Sequence, residues 1–152
     1  MSTIVSVLAD TYTMGSHCEP TPAEKKEFTD WILTQYFNLP VRVKFVDSDV
    51  SPEAMLHHHK WNHILYISTL HSEHPMLTQM QNWMFRAIHD YHHVSQGFGF
   101  DAAGEIASAR YAMSTAPKSI HWMIWSEIAL QAAATVHTGK FQAQKLVNAY
   151  FV

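Results

Sequence analysis

The sequence predicts an α+β domain that is predominantly α-helical, with a small N-terminal β element followed by a three- to four-helix C-terminal part. Three observations predict it. Two short runs, residues 41–47 and 62–69, are rich in β-branched residues and have the length of strands. From Pro75 onward, apolar residues recur at spacings of three and four. The composition, 47% hydrophobic and 15% charged over 152 residues, suits one compact domain with a sizeable core. Within it, residues 1–72 form an α/β portion and residues 73–152 a helical portion.

In chain order, residues 4–8 (IVSVL) read as a short strand and residues 15–20 as a loop. Thr21-Pro22-Ala23-Glu24 is a helix start, with threonine as cap, proline in the first turn and glutamate placed to close a capping box. Phe28, Trp31, Ile32, Gln35 and Tyr36 carry that helix to Asn38, and Leu39-Pro40 stops it. VRVKFVD alternates as a half-buried strand does, whereas NHILYIST is apolar at its centre and more deeply buried. Between them lie a turn, a short helix over residues 53–56 and the run His57-His58-His59, too far inside the chain to be a tag. Met76, Met80, Trp83, Met84, Ala87, Ile88, Tyr91 and Val94 mark an amphipathic helix that Gly97-Phe98-Gly99-Phe100 breaks. Asp101 caps a helix reaching Thr115, Pro117 opens another reaching Thr138-Gly139, and a last short helix is expected over residues 142–150.

Charge and cysteine usage narrow the function classes. A net charge of -3 and a pI near 6.4 leave no electrostatic footprint for nucleic acid or an anionic membrane. The single cysteine, Cys18, excludes an internal disulfide framework and suits a reducing compartment. The first fifteen residues lack the basic start and apolar run of a signal peptide, and no stretch approaches the ~20 apolar residues of a membrane span. A cytoplasmic protein is expected.

Chemistry concentrates in His89-Asp90-Tyr91-His92-His93. Residues four apart share a helix face, so His89 and His93 point the same way, the spacing two imidazoles need to grip one ion. A helical wheel sets these two, with Asn82 and Arg86, nearly opposite the apolar face of Met80, Met84, Ala87 and Tyr91. Taken alone, that reads as a solvated face. Glu127 argues otherwise: it is the sole carboxylate between Lys118 and Lys140, set among Ile120, Met123, Ile124, Leu130 and Ala134. A buried carboxylate needs a cation, either a metal or an arginine such as Arg86 or Arg110. Glu105, in the first turn of its helix, is a further ligand or proton shuttle, or simply complements the helix N-terminus. Asp90 could orient an imidazole or act as a general base, and Gln131 lies one turn from Glu127. His92 faces elsewhere, and His63 and His121 stand out among the other histidines because they sit in apolar segments.

His89, His93 and Glu127, with Glu105 in reserve, make a two-histidine, one-carboxylate set. It suits non-haem Fe(II) first and catalytic zinc second, and the absence of thiolate ligands disfavours a purely structural zinc. His89-Asp90-x-x-His93 also matches the zinc-protease helix motif with aspartate in place of its glutamate. Iron would imply oxidative chemistry and zinc hydrolysis by a metal-activated water.

Phe85-Arg86-Ala87-Ile88-His89-Asp90, His93, Gly97-Phe98, Phe100, Gly104-Glu105, Glu127 and Gln131 together resemble an uncharacterised family of bacteriophage-encoded proteins. That family carries Phe-Arg-x-x-His-Asp, a second histidine, a Gly-Glu pair and a later Glu-x-x-x-Gln. The resemblance covers residues 83–135 and implies a phage origin and a shared site more than a reaction. The family usually has one more residue between its histidines, and its middle-helix histidine is absent near Arg110–Met113. A weaker likeness is to the aromatic amino-acid hydroxylases, whose iron is held by two histidines of a His-Asp block and a later glutamate. Here His89-Asp90, His93 and Trp122–Glu127 are similar in kind, in a chain too small for that whole catalytic domain. The His-Asp phosphohydrolases are a third echo, but they need a downstream aspartate and none follows Asp101.

The expected partners are a small-molecule substrate or a phage or host protein, with no nucleic acid and no membrane. Five tryptophans and eight methionines leave apolar surface for a homo-oligomer. The rival reading is a non-catalytic virion component or host-interaction protein in which the His/Glu cluster is structural. No phosphate-binding glycine loop, nucleotide fingerprint or nucleophilic Ser/Cys motif points to a substrate.

Overall fold

The structure, a computed structural model, describes residues 3–149. The chain is α+β and predominantly helical. In order it runs α1 (Thr3–Met14), α2 (Pro22–Phe37), β1 (Arg42–Val46), α3 (Pro52–Asn62), β2 (Ile64–Ser68), α4 (Gln79–Gln96) and α5 (Ala102–Ser114). A last helical stretch follows, made of a 3-10 turn (Lys118–Ile120), α6 (His121–Trp125), a π-helical turn (Ser126–Leu130) and α7 (Gln131–Thr138). Two compact units emerge, one of Phe28–Phe98 and one of Met1–Glu27 with Gly99–Val152. No helix among the described residues is long and apolar enough to cross a membrane.

The central unit is built on a β-α-β segment. β1 and β2 pair in parallel, Arg42 opposite Ile64 through Val46 opposite Ser68. A parallel pair needs a crossover, and α3 supplies it. The histidine triplet lies inside α3, which continues to Asn62, well beyond the expected residues 53–56. Its Ser51 hydroxyl accepts the Ala54 amide as N-cap, and His63 ends it in the left-handed conformation. Leu65 and Ile67 are buried with Met55 and Ala87 beneath Phe45, Val43 and Tyr91, while Phe28, Trp31 and Phe85 form an aromatic cluster beside them. The expected capping box of α2 forms, with the Glu24 amide donating to Thr21 Oγ1 and the Thr21 amide to Glu24 Oε1.

The other unit corrects two expectations. Residues 4–8 are helix, not strand: Val5, Leu8, Ala9 and Tyr12 are buried at spacings of three and four along α1, and that period outweighs the local β-branched content. The helix expected from residue 142 does not form over 142–149; Tyr150 lies outside the described residues. Those residues run instead as an irregular strap whose backbone is satisfied by side chains of other segments. Tyr12 Oη donates to the Ala143 carbonyl at 2.8 Å and accepts the Lys145 amide at 3.2 Å. The Leu146 amide donates to His17 Nδ1 and the Val147 amide to Ser126 Oγ. Lys145 Nζ reaches the carbonyl of Gly15, just past the end of α1, where a cation is favoured. Leu146 and Val147, buried by this arrangement, supply the apolar gain.

Candidate functional site

The site begins with α4. A Thr78–Gln81 capping box starts the helix, and Gly97, at a φ of 73°, ends it with its amide on the His93 carbonyl. Within it the His89 and His93 rings stand 4.6 Å apart, nearly perpendicular at 89°. His93 Nδ1 lies 3.0 Å from the Phe98 carbonyl oxygen. A carbonyl can only accept, so Nδ1 carries a proton, and in the neutral ring the lone pair is left on Nε2. That is the way a second partner sets the tautomer of a metal-binding imidazole.

The face carrying Asn82, Arg86 and His93 is not solvated, contrary to the wheel. Asn82 is 5% exposed and His93 1%, whereas Met80 is 48% exposed. For Asn82 and Arg86 the cause is the segment after β2, which lies on this face and brings carbonyls that need donors, while His93 meets the Phe98 carbonyl. Asn82 Nδ2 donates to the Ser72 carbonyl, and the Arg86 guanidinium to the carbonyls of Ser68, Leu70 and His71. Arg86 is therefore a clip for the β2–α4 connection. Burial pulls its guanidinium below the usual value, and the charge of Asp90, one turn on, acts against that pull. His92 is also buried, and desolvation, with His89 and His93 adding to it, pushes its imidazole down to about 4, so it is neutral near pH 7.

The two candidate carboxylates lie in the other unit. Glu105 is half-buried in the first turn of α5, which Asp101 caps by accepting the Gly104 amide at 2.8 Å. Gly104 is required there: a Cβ would meet the Gly99 carbonyl oxygen at 1.8 Å. Glu127 falls in the π turn and is half-buried, not fully buried. Its charge is felt by Tyr12, whose phenol is pushed up to about 12, mainly by burial. Single π turns recur at functional positions. Gln131 Nε2 donates to the Gln142 carbonyl, so this amide group anchors the C-terminal strap. His121 Nε2 bonds the Ala116 carbonyl and His63 is a helix cap, which gives both a local structural role.

Sequence reasoning passed over two of these features. The Phe98 carbonyl that fixes His93 is a backbone atom with no sequence signature, although Gly97 directly after a helical period marked the turn that presents it. The carbonyl-binding role of Arg86 was hidden for the same reason. No protein-family model matches the sequence, and no curated protein and no solved structure matches it.

Proposed function

We propose that the chain binds a divalent metal ion through His89, His93 and Glu105. The single observation that carries this reading is the His89–His93 ring pair with the proton of His93 fixed on Nδ1. Glu105 is the favoured carboxylate because only residues 97–101 separate the two capped helices that carry it and His93. Glu127 is the further carboxylate. Two imidazoles and a carboxylate suit Fe(II) or zinc with open positions, and hence oxidative or hydrolytic chemistry. The phage-protein resemblance supports reading the chain as a phage product of the host cytoplasm, and open coordination positions on the ion would give a small-molecule substrate its place.

The deep burial of His93 favours a second reading, in which the ion is structural and the protein a non-catalytic phage component. Metal analysis after chelator-free purification tests the site. One tightly held ion is expected in the wild type and loss of it in His89→Ala, His93→Ala and Glu105→Ala. A metal-free wild type, or full occupancy in the variants, refutes the proposal. Glu127→Ala reports whether the second carboxylate contributes. Azide binding to a cobalt-substituted sample separates the two readings, because a structural ion offers no open position.

A further inference from the structure

Away from the histidine pair, the β-α-β segment carries a cleft of about 310 Å³. Its walls are Val46 at the carboxyl end of β1, Ser48, Asp49 and Val50 of the following loop, Ala54 and His58 of α3, and Tyr66 of β2. The carboxyl end of a parallel strand, where chain turns into the crossover helix, is where open α/β units bind ligands. The floor is aromatic: the His58 and Tyr66 rings meet edge-on at 4.7 Å. His58 Nδ1 is shielded and has no hydrogen-bond partner among the described residues.

Charge decides what fits. Asp49 is the sole charged residue lining the cleft, and Asp47 and Glu53 flank it. No lysine or arginine occurs between Lys44 and Lys60. The first turn of α3 offers no welcome to an anion either, since Ser51 already takes the Ala54 amide and Glu53 sits beside it. A phosphate or carboxylate ligand is therefore disfavoured and a cation favoured.

We propose that this cleft binds a small organic cation, an ammonium group on an apolar or aromatic body. Asp49 pairs with the ammonium, and Tyr66 and His58 flank the apolar part, with the ring face adding a cation–π attraction.

The test uses the full-length, isotope-labelled protein in the presence of chelator, so that any metal plays no part. Benzylammonium is titrated while backbone amide resonances are followed. Saturable shifts at residues 46–50, 54, 58 and 66 are expected, with no response to the neutral isostere benzyl alcohol. Asp49→Asn, a change at an exposed position, should weaken binding about fivefold, and Tyr66→Leu should weaken it as well. Absence of saturable shifts, an equal response to benzyl alcohol, unchanged affinity in Asp49→Asn, or shifts at these residues with inorganic phosphate instead would each overturn the proposal.

Discussion

Removing one oxygen atom from Tyr12 tests how the C-terminal strap is held. Tyr12 is 1% exposed, and its hydroxyl serves both the Ala143 carbonyl and the Lys145 amide. Tyr12→Phe keeps the ring and its contact with the Lys145 ammonium, 5.2 Å from the ring centre, but leaves two strap groups unserved. A loss of about 2 kcal/mol at neutral pH is expected. The pH dependence is the sharper test. Burial raises the folded phenol to about 12 from 10.0, with the charge of Glu127 adding to it against the Lys145 hydrogen bond. Above pH 10 the unfolded chain sheds this proton while the folded chain keeps it. The unfolded state then binds fewer protons, and stability falls as pH rises through the window to about 12. The difference between 10.0 and about 12 corresponds to about 2.7 kcal/mol at most. Urea unfolding from about pH 9 to about pH 12 measures it. Every other group is common to both proteins, so the difference between wild type and Tyr12→Phe isolates this phenol. If both lose stability in parallel, the phenol is not held neutral by the fold and the reasoning fails.

Other substitutions probe other joints. Gly104→Ala drives a methyl into the Gly99 backbone, 1.8 Å from its oxygen, and should cost about 3 kcal/mol or more, read as a large drop in melting temperature; an unchanged midpoint would contradict the close approach. Arg86→Met strips donors from the Ser68, Leu70 and His71 carbonyls and should cost about 2–3 kcal/mol. Amide exchange should then quicken over residues 69–78, and protection left as in the wild type would count against the clip. Thr78→Ala opens the capping box of α4 and should cost about 1 kcal/mol by denaturant unfolding, with Thr78→Ser restoring it.

Much of the fold was legible because its signals are local. The Thr21–Glu24 box, the two β runs and the Asp101 cap each depend on residues a few positions apart, and each appears where the pattern put it. Of the candidate site, the histidine pair was legible in its spacing: His89 and His93 are neighbours on α4. The misreadings share a different cause. A helical wheel ranks faces by side-chain polarity, but the burial of Asn82 and His93 follows from backbone carbonyls of the β2–α4 segment and of Phe98, which have no letter in the sequence. The strap over 142–149 was read as helix for a related reason. Its hydrogen bonds to Tyr12, His17 and Cys18 reach across more than a hundred residues, beside nearer ones to Ser126 and Gln131, and local propensity cannot register such distant partners.

That strap also dictates an order of events during synthesis. The bonds between Tyr12 and residues 143 and 145 span more than 130 positions, so the pocket awaiting Leu146 stays open until those residues leave the ribosome. The segment 28–98, with its own buried cluster, can meanwhile condense on the nascent chain. The apolar stripe of α1 (Val5, Leu8 and Ala9) waits as well, because α1 packs chiefly on α7, more than a hundred residues further along the chain.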